Sequence, residues 1–344
     1  MVVPWLGLAA ALAILCASMV WPSRWIAAQA NHLLKSLLGS RSLPVHYMSS
    51  SRYSSLVPVA AILVAVTCLG LGTSWAKHDL FPLIGAEGTT AVRVGLSALL
   101  LLVLRRPWRW KLNRRDAGWV AAYGVALGGM NLFFYMALQT IPFGVAVAIE
   151  FSGPLAVALL SSKRSLDFVW VALAVLGLGL LLPLRQGVGG LDVTGVFYAL
   201  AAAACWATYI LCGKQAGQLR ASHSVSLGLL VAALVVVPVG VSHAGAALLS
   251  PSVWLVGLGV AALSSAIPIS LEMVALKRLP KQTFGILISV EPAVAAILAL
   301  IFLGEYLSHS QWLAIGMIVT ASMGSAMTAQ RQPASSRRDM VPQN

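Results

Sequence analysis

Four polar side chains interrupt apolar stretches of this chain, at Arg93, Asn131, Glu150 and Glu291. A guanidinium presents a planar fork of donors that fits a carboxylate. A carboxyl group in apolar surroundings can face an ammonium group or carry a proton. The Asn131 amide and the Tyr135 phenol, one helical turn apart, can reach a hydroxyl. These residue types predict a binding site for a zwitterionic substrate and a proton.

Glu150 lies near the middle of the apolar stretch 142–162. A charged side chain at the centre of a bilayer costs about 2.5–3.5 kcal/mol on insertion scales, so a glutamate there needs a reason. Gly153, Pro154 and Ser161 follow at helical spacing and share one small, partly polar face with Glu150. Such a face suits a cavity or a close helix contact better than it suits lipid.

A structural role for the charged residues is the alternative. Arg93 could form a buried ion pair with one of the two glutamates. Glu272 lies close in sequence to Lys277 and Arg278, which predicts an ion pair near the membrane surface. Glu305 and Asp167 lie at predicted helix ends, where they would act as boundary or capping residues.

The composition indicates a polytopic membrane protein. Of 344 residues, 59% are hydrophobic and 10% are charged, whereas a soluble domain has about 25% charged residues. The net charge of +13 comes from basic residues in short loops, which orient membrane proteins and indicate no nucleic-acid partner. The 4 cysteines follow no metal-ligand spacing, so we expect neither a metal nor a cofactor.

From Leu56 onward, the hydropathy pattern predicts ten membrane spans of about 20 residues. They are 56–76, 86–104, 117–138, 142–161, 166–183, 193–212, 223–242, 252–275, 280–303 and 308–329. Counted at about 1.5 Å per residue, the four polar residues of the candidate site all approach the midplane. Pro154, Pro268 and Pro292 lie inside spans and are predicted to kink or break them and to act in gating.

The loop charges predict the orientation. Sixteen arginine and lysine residues lie in the loops of one side and in the tail, whereas the other side has only Lys77 and Arg185. The side with more positive charge is predicted to be cytoplasmic, together with both ends of the ten-span core.

Two halves of the chain resemble each other. Residues 136–142 echo residues 274–280, and Pro154 echoes Pro292, at the same offset of 138. The repeat unit then contains five spans, an odd number, so the two halves insert with opposite orientation, as in many transporters. The predicted fold is an all-α membrane protein of ten transmembrane helices, in two inverted five-helix repeats.

The predicted repeats occupy residues 56–190 and 191–330, between an N-terminal extension (1–55) and a cytoplasmic tail (331–344). Val2–Trp21 is apolar enough to form an extra helix. Residues 28–30 resemble a signal-peptide cleavage site, although no basic residue precedes the apolar run. Met48 is a further candidate for the true start. We assign no activity to this part.

Several stretches of the sequence resemble a known family. They are LFPLIGA (80–86), GGMNLFFYMAL (128–138), GVAVAIEFSGPLAVALLSSKRSLDFVWVALAVLGL (144–178), SLEMVALKRLP (270–280) and EPAVAAILALIFLGE (291–305). From about Leu56 to Gln330 the chain resembles EamA-type members of the drug/metabolite transporter superfamily, and within them the bacterial exporters of threonine and homoserine. The resemblance implies a ten-helix inverted-repeat fold in the bacterial inner membrane and export of small neutral amino acids in exchange for protons.

The predicted function is secondary active export of small neutral amino acids, with the amino acid, protons and the lipid bilayer as partners. The sequence has no GxxxxGK[ST], HExxH or GxSxG motif, so neither ATP hydrolysis nor protease or acyl-transfer chemistry is supported, and we expect no enzyme. The alternatives are export of an aromatic amino acid, a purine or a cationic drug, and a non-transporting membrane enzyme or scaffold. The sequence leaves the oligomeric state open.

Overall fold

The computed structural model describes residues 56–105, 113–160, 165–181, 191–279 and 281–328. The predictions for the N-terminal extension 1–55 and for the tail 331–344 therefore lie outside the described residues.

The described part of the chain is helical almost throughout. Its helices are α1 (Leu56–Trp75), α2 (Phe81–Arg105), α3 (Arg114–Ala137), α4 (Phe143–Glu150), α5 (Ser152–Leu160), α6 (Ser165–Leu181), α7 (Val193–Ala244), α8 (Pro251–Ala261), α9 (Ile267–Arg278), α10 (Lys281–Ile288), α11 (Glu291–Leu303) and α12 (His309–Thr328). Five described segments are long and apolar enough to cross a membrane, and shorter apolar helices lie between them. The chain is an all-α, multi-pass membrane protein.

The segment 77–85, which the hydropathy pattern places in a loop, is mostly helical. A π-helical turn at Ala76–Leu80 joins α1 to α2. The regular helix is interrupted at Gly85, whose φ of 68° and ψ of −177° lie in a region that residues with a Cβ atom avoid. This glycine therefore provides the break between the first two predicted spans.

Helix α7 has two arms that pack against the same neighbour. A straight helix of 52 residues would be about 78 Å long. Yet a Cβ placed on Gly213 or on Gly228 would lie within 3.2 Å of the ring of Tyr123 in α3. The chain therefore reverses direction between these two glycines, in agreement with the two apolar spans Val193–Gly213 and Ser224–Leu249.

Two of the predicted spans are broken near their middles. α4 ends at Glu150 and α5 begins at Ser152, and α10 ends at Ile288 before α11 begins at Glu291. Each break precedes a proline, Pro154 or Pro292, which has no N–H to donate to the carbonyl four residues earlier. Both breaks leave backbone carbonyl groups without their helical partner near the centre of the bundle.

Close backbone contacts hold these broken helices in place. Every residue of α4 is buried, and a Cβ on Gly144 would lie 2.6 Å from the Cα atom of Ala296 in α11. A Cβ on Gly153 would overlap the carbonyl oxygen of Ala203 in α7. Larger residues would separate these helices, so the small residues fix where α4 and α5 lie.

Candidate functional site

A central cavity of about 320 Å³ lies where α1, α2, α3, α4, α7, α9, α10 and α11 meet. Its wall contains Arg93, Asn131, Glu150 and Glu291. The structure therefore brings together four of the five residues that the sequence proposes for binding. A volume in this range fits a small ligand.

A second cavity of about 360 Å³, the entrance cavity, shares Arg93, Asn131 and Glu272 with the central cavity. It extends along α2 and α3 past Ser97 and Tyr123. This direction leads to the ends of the helices at which Arg105, Arg114 and Arg278 lie, which we name the Arg278 end of the bundle. The opposite end is named the Lys77 end.

Arg93 is held by neutral groups. Its Nη1 atom donates to Oδ1 of Asn131 at 3.0 Å, and its Nη2 atom donates to the carbonyl oxygen of Ser264 at 3.1 Å. The guanidinium also lies over the ring of Tyr135, 5.2 Å from its centroid, a favourable cation–π contact. No described carboxylate forms an ion pair with it, which contradicts the alternative of an Arg93–glutamate pair.

The carbonyl group of Ser264 is available to Arg93 because of Pro268. In a regular helix the N–H four residues later would donate to this carbonyl, but proline has no N–H. The π-helical turn Ala262–Ala266 lies at the same place, and such turns are frequent at functional sites. The proline that was predicted to kink its helix thus leaves an acceptor for the arginine.

Asn131 and Tyr135 have different surroundings from those the sequence suggested. The Asn131 amide donates from Nδ2 to the carbonyl of Leu127 at 2.8 Å while its oxygen accepts from Arg93. Both ends of the amide are therefore occupied, and its position suits it to orient Arg93. Tyr135 is fully buried and does not line either cavity; it lies behind Arg93.

The two central carboxyl groups lie at opposite kinds of helix terminus. Glu150 is the last residue of α4 and is buried, and Glu291 is the first residue of α11. Within the described residues neither carboxyl group has a hydrogen bond or an ion pair. Both are thus available to a ligand in the central cavity.

Sequence reasoning missed Glu272 as a cavity residue. It lines both cavities, and no ion pair with the exposed Arg278 or another described side chain is present. The prediction of an ion pair near the surface is therefore wrong for Arg278; the Lys277 side chain lies outside the description. Ser264, Pro268 and Glu272 are spaced by four residues, a signal that places them on one helix face.

Glu305 caps the start of α4 and not the neighbouring helix α11. Its Oε2 atom accepts from the backbone N–H of Phe143, the first residue of α4, at 2.7 Å. The Asp167 side chain, predicted to have a similar role, lies outside the described side chains. In the described ranges no group of His, Cys, Asp and Glu residues is arranged to hold a metal ion.

The chain is similar to known transporters. The pattern of the EamA-like transporter family matches residues 193–327. The Threonine/homoserine exporter RhtA of Escherichia coli (strain K12) is 52% identical over 276 residues, covering 80% of this chain and 93% of that protein. RhtA of Salmonella typhimurium (strain LT2) is 50% identical over 277 residues, covering 80% and 94%.

A more distant relative, the Uncharacterized transporter YwfM of Bacillus subtilis (strain 168), is 27% identical over 299 residues, covering 83% of this chain and 97% of that protein. These relatives are transporters and not enzymes. Their similarity extends over most of the helical bundle that encloses the cavity. The chain belongs to the EamA-like transporter family, and within it to the group that contains the RhtA exporters.

Proposed function

We propose that this protein exports threonine, homoserine and similar small neutral amino acids from the bacterial cytoplasm in exchange for protons. The observation that carries the proposal is the central cavity, in which a guanidinium held by neutral acceptors lies in one wall with unpaired carboxyl groups. The names of the relatives at 50% and 52% identity support the choice of substrate.

The architecture that we propose for this function is the ten-helix inverted repeat in the inner membrane. Its support is the pair of helix breaks, at Phe151 and at Ser289, which are again separated by 138 residues, like Pro154 and Pro292. An offset that relates two helix breaks as well as two prolines favours a common five-span unit. The positive loop residues favour the Arg278 end as the cytoplasmic end.

In this proposal the substrate is held by charge at both of its ends. The substrate carboxylate binds the guanidinium of Arg93, which lines the central cavity. The ammonium group faces Glu291. The positive end of the α11 helix dipole supports a negative charge on this first residue, which makes it a suitable partner for a cation.

Glu150 is the proposed proton carrier. It lies at the negative end of α4, where a negative charge is unfavourable. The charged groups that share the cavity with it are Arg93, Glu272 and Glu291. Proton arrival at Glu150 would change the charge of the cavity from within, weaken the hold on the ammonium group and favour release.

The function is tested with purified protein in proteoliposomes loaded with labelled L-threonine or L-homoserine. We expect saturable efflux that rises when a pH gradient is imposed, and competition by the L but not the D isomer. Efflux at the rate of empty liposomes, from protein that is monodisperse and shows a cooperative thermal transition, would contradict the proposed substrates. Saturable efflux without any response to the gradient would contradict the proton antiport but not the proposed substrates.

Replacing Pro268 by alanine tests how Arg93 is positioned. Alanine supplies an N–H for the Ser264 carbonyl, which then competes with the Nη2 atom of Arg93. A neutral hydrogen bond contributes about 0.5–1.5 kcal/mol net, so we expect KM for the amino acid to rise about two- to tenfold. The maximal rate should change less, because the proton carrier is untouched.

The matched control is Pro238→Ala. Pro238 also lies inside a helix, in the second arm of α7, but it lines neither the central nor the entrance cavity. This variant should transport with an unchanged KM. Equal KM values for Pro268→Ala and Pro238→Ala would contradict the role of the Ser264 carbonyl.

A further inference from the structure

The central cavity is closed toward the Lys77 end of the bundle. Between the cavity and this end lie the fully buried side chains of Trp75, Leu80, Leu138 and Ile141. The entrance cavity extends toward the Arg278 end. A transporter must also open at the Lys77 end. Contacts between helices at that end must therefore stabilise the closed state and break when it opens.

Three chain segments that are far apart in sequence meet at the Lys77 end through Glu305. Its Oε1 atom forms an ion pair with Nζ of Lys77 at 2.6 Å, and its Oε2 atom accepts from the Phe143 N–H at 2.7 Å. Nζ of Lys77 also donates to the carbonyl of Ile141 at 3.4 Å. The two charged side chains are only 19% and 15% exposed.

These contacts hold the helix that carries Glu150. Glu305 binds the first residue of α4, and Glu150 is the last residue of the same helix. At about 1.5 Å per residue the two ends are about 10 Å apart. α4 ends at Glu150, and Pro154 cannot donate to the carbonyl of Glu150, so α4 is joined to α5 by a weakened turn, and in this inference it shifts as one unit between the contacts at the Lys77 end and the central cavity.

We propose that Glu305 and Lys77 are positioning residues for transport: they hold α4, and with it Glu150, in the state that is closed at the Lys77 end. The inference builds on the transport function proposed above, though not on the identity of the substrate. When α4 moves, the Phe143 N–H leaves Glu305 and the Lys77 end opens. A movement of α4 that leaves these charges buried but unpaired is costly, so the ion pair and the Phe143 contact favour the closed state until substrate or proton binding changes the position of α4.

The proposal is tested by cysteine accessibility, which needs no substrate. The reporter is Thr73→Cys in a chain whose Cys16, Cys68, Cys205 and Cys212 are replaced by serine. Thr73 lines the central cavity and is 3% exposed. Oriented vesicles are treated with a membrane-impermeant maleimide from one side or the other.

The variant Glu305→Ala removes both contacts of Glu305, whereas Lys77→Met removes the ion pair and the hydrogen bond to the Ile141 carbonyl but leaves the Glu305–Phe143 contact. We expect labelling of the reporter thiol from the Lys77 side to rise at least fivefold in Glu305→Ala and by a smaller factor in Lys77→Met. Labelling from the Arg278 side should fall in the same order. The control is Glu87→Gln, which lies at the same end and contacts Gln139 but not α4; its labelling should equal that of the parent.

Unchanged labelling from both sides in Glu305→Ala would overturn the proposal, provided that gel filtration and thermal unfolding show folded protein. A rise of the same size in Glu87→Gln would overturn it too, since any loss of charge at this end would then suffice. If labelling shifts as expected while threonine and homoserine are not exported, the positioning role stands and only the substrate assignment fails.

Discussion

Replacing Glu150 by glutamine is expected to remove the response of efflux to a pH gradient while leaving the protein folded. Glutamine keeps the size and a hydrogen-bonding amide but cannot gain or lose a proton. Efflux with and without the gradient should therefore become equal in proteoliposomes. The gradient-driven component should fall to the background of empty liposomes, whereas counterflow of labelled against unlabelled amino acid should persist.

The companion variant Glu291→Gln separates the two carboxyl groups. If Glu291 is the partner of the substrate ammonium group, its neutralisation removes a charge-assisted contact of about 1.5–3 kcal/mol. KM should rise about ten- to a hundredfold, while the remaining efflux still responds to the gradient. Wild-type coupling in Glu150→Gln would remove Glu150 from the proton pathway, and loss of coupling in Glu291→Gln alone would exchange the two roles.

This pair of variants is informative because the two residues are chemically identical and differ in their surroundings. Glu150 lies at the end of one helix, Glu291 at the start of another, and both line the same cavity. Any difference in coupling must then come from position. Thermal unfolding of both variants checks that the folds remain comparable.

The sequence predicted the membrane class and the positions of the helices, because apolar runs of about 20 residues are a strong signal. It also predicted that helices are kinked or broken near Pro154, Pro268 and Pro292. It did not predict that residues 77–84 would be helical, since their polar residues Lys77, His78 and Asp79 are typical of a loop. In the structure Trp75 donates from Nε1 to Asp79 at 2.8 Å, and the chain turns only at Gly85.

For the site, the depth of a residue in the membrane and its helix face were enough to select four cavity residues. They could not predict which side chains form hydrogen bonds with one another. Hydropathy gives the depth of Arg93 in the membrane but does not show which helices pack beside it. The sequence therefore could not show whether Arg93 contacts Asn131 and Ser264 or a glutamate. The contact of Glu305 with Phe143 spans 162 residues of sequence. Such contacts depend on how the helices pack, and no local pattern records them.

The second large effect is expected for Arg93→Lys. Lysine keeps the positive charge but has neither the planar fork nor the flat face that lies over Tyr135. The bidentate contact with the substrate carboxylate would become a single one, so KM should rise about ten- to a hundredfold. An amino alcohol without a carboxylate should compete equally weakly against transport by the variant and by the wild type.

Asn131→Asp provides the matched test, because it changes one amide into a carboxylate of nearly the same shape. The new charge would lie 3.0 Å from the Nη1 atom of Arg93 and would form the ion pair that the present structure lacks. We expect this variant to be folded and at least as stable as the wild type to heat, yet to bind the amino acid at least tenfold more weakly. Transport by Asn131→Asp with the KM of the wild type would show that Arg93 does not bind the substrate carboxylate, and that its charge has another partner in the cavity.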